Sequence, residues 1–179
     1  NRRGEIRTFP VAENQHRHHI LHASIVPARI PAGIATEAEE QARHLADGIQ
    51  LVGLLAVEFF YVEGEGLYVN ELAPRPHNSG HYTYDACLTS QFEQHLRAIC
   101  NLPLGDPELL TPAVMVNILG QHVEALWEAL PILPGNVKVH WYGKADAKVN
   151  RKMGHLTFLG ETIEESLAQI EQLPIWKGE

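Results

Sequence analysis

Residues 54–73 constrain the fold of this chain more than any other stretch. Two runs rich in β-branched and aromatic residues, 54–62 and 67–73, flank Glu63-Gly64-Glu65-Gly66, a polar, glycine-rich segment suited to a hairpin loop. A regular hairpin closed by those four residues sets Val62 opposite Leu67, Phe60 opposite Val69 and Glu58 opposite Glu71. The two carboxylates then stand side by side on one face among apolar neighbours, where they repel each other and resist desolvation. Three arrangements relieve this. A divalent cation can sit between them, since Mg²⁺ takes carboxylate oxygens together with substrate phosphates. The pair can share a proton, as in acid–base catalysis. Or the strands are slipped or bulged and both glutamates are solvated.

Around the hairpin, helices and strands mix without regular βαβ alternation, so the class is α+β with an antiparallel sheet. Residues 4–10 read as a strand closed by Pro10, 11–19 as a polar, His-rich loop, and 20–30 as a strand punctuated by Pro27. Thr36 with Glu39, and Ser90 with Glu93, have capping-box spacing and open two helices. In the first, Ala38, Ala42, Leu45, Ala46 and Ile49 fall on one face. A proline-rich linker ends near residue 107. Strands at 113–119, 137–142 and 153–159 and helices at 122–129 and 161–172 follow. Two units result, 1–107 and 108–179, the second small and β-rich.

Lys and Arg number 14 against 22 Asp and Glu, a net charge of −8. That balance excludes general binding to nucleic acid or an anionic membrane, though not a local basic pocket. The longest apolar stretch, 51–62, is broken by Glu58 and too short to span a bilayer. Cys87 and Cys100 form no metal-ligand spacing and read as reduced thiols of a cytoplasmic protein. His16, His18, His19 and His22 could hold a transition metal if helical, but their polar setting reads as a solvated loop. The chain opens on Asn1-Arg2-Arg3-Gly4, with no Met and no signal peptide, and reads as a piece of a longer protein.

Directly after Glu71 comes Leu72-Ala73-Pro74-Arg75-Pro76-His77-Asn78-Ser79-Gly80-His81. Two prolines fix the backbone around Arg75, whose planar fork suits a carboxylate, bicarbonate or phosphate. The alternative is an ordinary capped turn with Arg75 paired to a nearby acid.

The run 69–81, Val-Asn-Glu-Leu-Ala-Pro-Arg-Pro-His-Asn-Ser-Gly-His, resembles the signature of the N5-carboxyaminoimidazole ribonucleotide synthetases of the ATP-grasp superfamily. Residues 9–16, 90–98, 140–144 and 151–155 are similar to further segments of that family, so the resemblance covers nearly the whole chain. It implies the C-terminal part of an ATP-grasp domain followed by a small domain packed on it. It also implies carboxylation of aminoimidazole ribonucleotide with bicarbonate, through carboxyphosphate, at the expense of ATP. Carried over, Glu58 and Glu71 hold Mg²⁺, and His16, Asn70 and Glu71 line the nucleotide site. Arg75 holds bicarbonate or carboxyphosphate, with His77, Asn78 and Ser79 around the reacting centre. Lys144 and Arg151 grip the 5′-phosphate, with Lys152 as the rival; without the resemblance, all three read as solvated surface cations.

The family's glycine-rich phosphate loop and N-terminal region have no counterpart here, and Ala73 stands where many ATP-grasp enzymes carry a metal-binding Asn. The resemblance therefore implies a fragment inactive without its N-terminal half, from a parent enzyme that is a homodimer. A different ATP-grasp carboxylase or ligase, or a non-catalytic binding or assembly domain, are the competing readings.

Overall fold

The computed structural model describes residues 1–177. In chain order its elements are β1 (Glu13–Arg17), β2 (Ile20–Val26), α1 (Ala32–Gly48), β3 (Ala56–Val62), β4 (Gly66–Ala73), α2 (Thr83–Ala86), α3 (Gln91–Ile99), β5 (Ala113–Leu119), α4 (Val123–Ala129), β6 (Val137–Trp141), β7 (Lys152–Leu159) and α5 (Ile163–Gln172). Five strands form an antiparallel sheet in the order β1-β2-β5-β7-β6, and β3 and β4 form a separate ribbon. The α+β class holds.

The sheet is the core. β5 is buried at every position because both of its faces are covered. On one side Ile25, Val114, Val116, Leu156 and Phe158 pack with Leu126, Ile163 and Trp176. On the other, Leu21 and Met115 pack with Tyr82, Ala86 and Cys87. β2 and β5 lie on either side of residue 107 in the chain yet pair along Ala23–Val26. The sheet therefore crosses the division at 107.

Three local expectations are corrected. Residues 4–10 form no strand among the described residues; an extended segment becomes a strand only when a partner supplies a ladder. The loop expected over 11–19 contains β1, a polar strand because it lies at the sheet edge. A turn of His18 and His19, with φ of 48° and 64°, joins it to β2. Two consecutive left-handed residues are what a two-residue hairpin turn demands, and Gly meets that demand with less strain than His. His19→Gly is accordingly expected to raise stability by roughly 0.5–1 kcal/mol, visible as a higher urea midpoint.

The helix expected to open at Thr36 starts at Ala32, straight after Pro31. Thr36 lies inside it, its hydroxyl donating to Ala32 O at 3.1 Å, while Glu39 accepts from Thr8 Oγ1 at 3.0 Å. Proline's fixed φ suits the start of a helix and overrode the capping-box signal. At α3 the expected cap is present, with Glu93 N donating to Ser90 Oγ at 3.1 Å. The Glu93 carboxylate instead pairs with Arg97 at 2.7 Å.

Candidate active site

The β3–β4 ribbon sets Glu58 opposite Glu71. It reaches that pairing by a route the regular hairpin does not describe. Val62 pairs with Gly66, Phe60 with Tyr68 and Phe59 with Val69, so the loop is one residue shorter than expected. A bulge in β4 opposite Glu58 and Phe59, with Asn70 as the extra residue, then shifts the register back. The two offsets cancel. Gly64 and Gly66, at φ of 81° and 110°, permit the tight loop. Leu67 and Val69 pair with Tyr61 and Phe59, on the face away from the glutamates, contrary to the regular arrangement.

The bulge brings Asn70 to the acid pair, where its Nδ2 lies 3.5 Å from Glu58 Oε2. Among the described residues neither Glu58 nor Glu71 has a Lys or Arg within ion-pair distance, and the nearest cationic candidate is His77, with Nδ1 3.7 Å from Glu58 Oε1. Two adjacent carboxylates without a basic partner fit a hard divalent cation by ligand chemistry.

A cleft of about 1410 Å³ opens beside the ribbon, and Glu58, Glu71, Asn70, His16, His77 and Ser79 all contribute to its wall. Six of the residues singled out in the sequence thus converge on one cavity. Arg75 and Asn78 do not line it. Arg75 is exposed and donates to Pro76 O at 3.1 Å, yet its charge acts on His77 and Lys152. Asn78 is engaged in a reciprocal amide pair with Asn117 at 3.0 and 2.7 Å. That pair anchors the 74–81 loop to the central strand β5.

His77 has its Nδ1 2.8 Å from Ser79 Oγ. Burial lowers its pKa, opposed by the Glu58 charge and reinforced by Arg75, so the neutral imidazole is favoured. Behind it His81, His155 and His140 stack in a column. His140 and His155 are nearly parallel at 4.5 Å, and His155 and His81 are 5.0 Å apart. His140 Nε2 meets Asp85 Oδ2 at 2.7 Å, and Tyr142 O–H lies 2.8 Å from His155 Nδ1. Burial brings His81 down to about 4 and His155 to about 3.

The C-terminal cations stand apart from the carboxylate cleft. Lys144 donates to Lys152 O at 2.5 Å, with its ammonium 5.3 Å from the Tyr142 ring centre. Arg151 is exposed and donates to Asp146 O at 3.1 Å. Lys152 is half-buried; burial lowers its pKa, the Glu58 charge opposes that, and Lys144 and Arg75 add to it. Of the acid pair, the Glu58 charge thus acts on Lys152. Among the described residues no group of three or more His, Cys, Asp or Glu could hold a metal, which leaves His16, His18, His19 and His22 without a common centre. Cys87 and Cys100 are unpaired, as expected.

Sequence reasoning missed Asn117, Gln91 and the histidine column. Asn117 carried a signal, as the lone amide in the apolar run Ala-Val-Met-Val-Asn-Ile-Leu. The Asp85–His140 contact, between distant segments, carried none.

Comparison with known proteins places the fold in a family. Residues 1–92 match the ATP-grasp domain, and residues 113–169 match the phosphoribosylaminoimidazole carboxylase C-terminal domain. N5-carboxyaminoimidazole ribonucleotide synthase of Bacillus subtilis (strain 168) is 56% identical over 93% of this chain and 44% of its own length. A solved ADP complex of an N5-carboxyaminoimidazole ribonucleotide synthetase superposes with a TM-score of 0.92 at 56% identity, over 94% of this chain and 44% of that one. The Aspergillus clavatus synthase, solved with ADP and 5-aminoimidazole ribonucleotide, gives 0.85 at 37% identity, over 92% of this chain and 46% of that one. This chain thus spans less than half the length of these relatives. It belongs to the ATP-grasp family, and within it is similar to the C-terminal portion of the N5-carboxyaminoimidazole ribonucleotide synthases.

Proposed function

We propose that the protein containing this segment is an ATP-dependent ligase. It carboxylates 5-aminoimidazole ribonucleotide with bicarbonate to N5-carboxyaminoimidazole ribonucleotide, in purine biosynthesis. The observation that carries this reading is the Glu58–Glu71 pair, set side by side at a cleft whose wall also holds Asn70, His16 and His77. Mg²⁺ held by these carboxylates supplies charge neutralisation for the ATP phosphates. His16 and Asn70 line the nucleotide side of the cleft.

In the first half-reaction a bicarbonate oxygen attacks the γ-phosphorus and ADP leaves, giving carboxyphosphate. In the second, the exocyclic amine attacks the carboxyl carbon of carboxyphosphate, or of CO₂ released from it; phosphate leaves and the amine gives up a proton. Arg75 is assigned to bicarbonate and carboxyphosphate, a role its planar fork suits. His77 faces the reacting centre as a neutral imidazole able to accept the amine proton, with Ser79 beside it on the wall and Asn78 anchoring the loop behind. Lys144 and Arg151 are assigned to the ribonucleotide 5′-phosphate, with Lys152, which feels the charges of both Lys144 and Glu58, as the rival.

Segments 1–107 and 108–179 are taken as the C-terminal part of the ATP-grasp domain and the small domain packed on it. Turnover requires the N-terminal half, and the whole enzyme is a cytoplasmic homodimer. No helix among the described residues is long and apolar enough to cross a membrane, which accords with that location.

The test is phosphate release from ATP by the complete enzyme. Release is expected to need Mg²⁺ and bicarbonate and to rise on adding 5-aminoimidazole ribonucleotide. A rate indifferent to the ribonucleotide rejects the substrate and leaves a different ATP-grasp ligase. Lys144→Ala is expected to weaken ribonucleotide binding by about tenfold, the value of one charge-assisted contact, and to leave nucleotide binding nearly intact. Equal loss of both in a titration of each ligand would mean that Lys144 does not hold the phosphate.

A further inference from the structure

The side chain of Gln91, at the first turn of α3, is 3% exposed and uses every polar position it has on one neighbouring loop. Its Oε1 accepts from His77 N at 2.9 Å. Its Nε2 donates to His77 O at 2.8 Å and lies 2.9 Å from His81 Nδ1. The amide thus pairs with both backbone groups of His77 as a neighbouring strand would, and its second N–H is left for His81. A flipped amide would set N–H against N–H and oxygen against oxygen, so one orientation is specified.

The surroundings are built to hold it. Gln91 N donates to Thr83 Oγ1 at 2.9 Å, and Thr83 Oγ1 donates to Gly80 O at 2.7 Å, closing the loop from its far end. A Cβ on Gly80 would stand 2.7 Å from Gln91 Oε1, so only glycine there lets the amide in. His81 must offer Nδ1 as an acceptor, which requires the neutral ring, and its burial among Lys152, His140 and His77 keeps it neutral.

We propose that Gln91 is a positioning residue for the carboxylation chemistry. By gripping the backbone of His77 at both its N–H and C=O it fixes the imidazole between Ser79 and Glu58, over the cleft. This rests on the assignment of His77 to the reacting centre given above. The physical basis is that a catalytic group displaced by about 1 Å can lose on the order of 10²-fold in rate, even when the displacing change is remote from the chemistry. Glu58 and Glu71 are carried by the β3–β4 ribbon, while the hydrogen bonds of Gln91 go to His77, His81 and Thr83, so nucleotide binding is separable from the loss.

The experiment measures kcat and the KM for MgATP in the complete enzyme, for wild type, Gln91→Met, Gly80→Ala and the double variant. Met keeps the length and removes all three polar contacts; Ala at position 80 evicts the same amide from the opposite side. Expected is a fall in kcat of roughly 10- to 100-fold in each single variant, with the MgATP KM within about twofold of wild type. The double variant should be no worse than the poorer single one, because both substitutions break one clamp. A kcat for Gln91→Met within about threefold of wild type overturns the proposal, as does a parallel loss of kcat and MgATP affinity. If Gln91→Met does not fold, Gly80→Ala carries the same comparison. Should the wild type show no ribonucleotide-dependent turnover, the functional reading fails on its own. The clamp is then judged by hydrogen exchange at His77 N–H, expected to speed up about tenfold or more in either variant, and equal exchange overturns it.

Discussion

Glu71→Gln lowers ribonucleotide-dependent phosphate release by about 10³-fold, on the several kcal/mol that a bound metal supplies to a developing phosphoryl transition state. The substitution keeps the shape and one oxygen of the side chain and removes its charge. Binding of MgATP should weaken with it, since the proposed metal site would be shared by the carboxylates and the nucleotide. Glu58→Gln should lose comparable activity and add a second signature. Glu58 is the larger of the two charges, with Glu71, that raise the His77 pKa against its burial, so its removal lets that pKa fall further. The acid limb of the pH–rate profile is then expected to move to lower pH in Glu58→Gln and to stay in place in a Lys144→Ala control. A Glu71→Gln enzyme releasing phosphate at the wild-type rate would remove the metal from this pair, and with it the main support for the catalytic reading.

Acid is expected to unfold this protein before it titrates most carboxylates. His81 and His155 are buried and held neutral, at about 4 and about 3 against the ordinary 6.5. Because both folded values lie below the unfolded one, the unfolded chain binds the extra protons. The stability they contribute is present in full above pH ~6.5 and drains away as pH falls toward the folded values. Each contributes up to about 1.4 kcal/mol per pH unit in that window, so the pair removes on the order of 4 kcal/mol between pH 6.5 and 4.5. His155 is the sharper case. Its Nδ1 faces the Tyr142 hydroxyl, its Nε2 is buried without a partner, and His81 and His140 stack on its two sides, so a proton there finds neither water nor an acid. Urea denaturation at a series of pH values checks this. His155→Met should roughly halve the slope below pH 6.5, and a wild-type midpoint flat from pH 7.5 to 4.5 would refute the mechanism.

His81 joins the 74–81 loop to His155 of β7 by ring contact, and amide bonds hold the same loop from other sides. Asn117 and Gln91 tie the 74–81 loop to β5 and α3 through hydrogen bonds to Asn78, His77 and His81, between segments apart in sequence. A loop that opens on Pro74-Arg75-Pro76 has little freedom at that end. The amide contacts then decide which of its few conformations is kept.

Patterning close in sequence determined a good deal of this protein. Strand β5 and the hairpin were legible because β-branched runs, glycines and caps act over a few residues, and the 69–81 signature pointed to the family. The acid pair was legible as well, although its register came out right through a shorter loop and a bulge that no hydrophobic pattern encodes. Other features belonged to tertiary structure alone: β1 as an edge strand, the loss of the Thr36 cap to Pro31, the pairing of strands across residue 107, and the Gln91 grip on His77. Each depends on a partner supplied from elsewhere in the chain. A polar strand, an amide or a histidine carries no mark of its partner until the fold removes the water that would otherwise take its place.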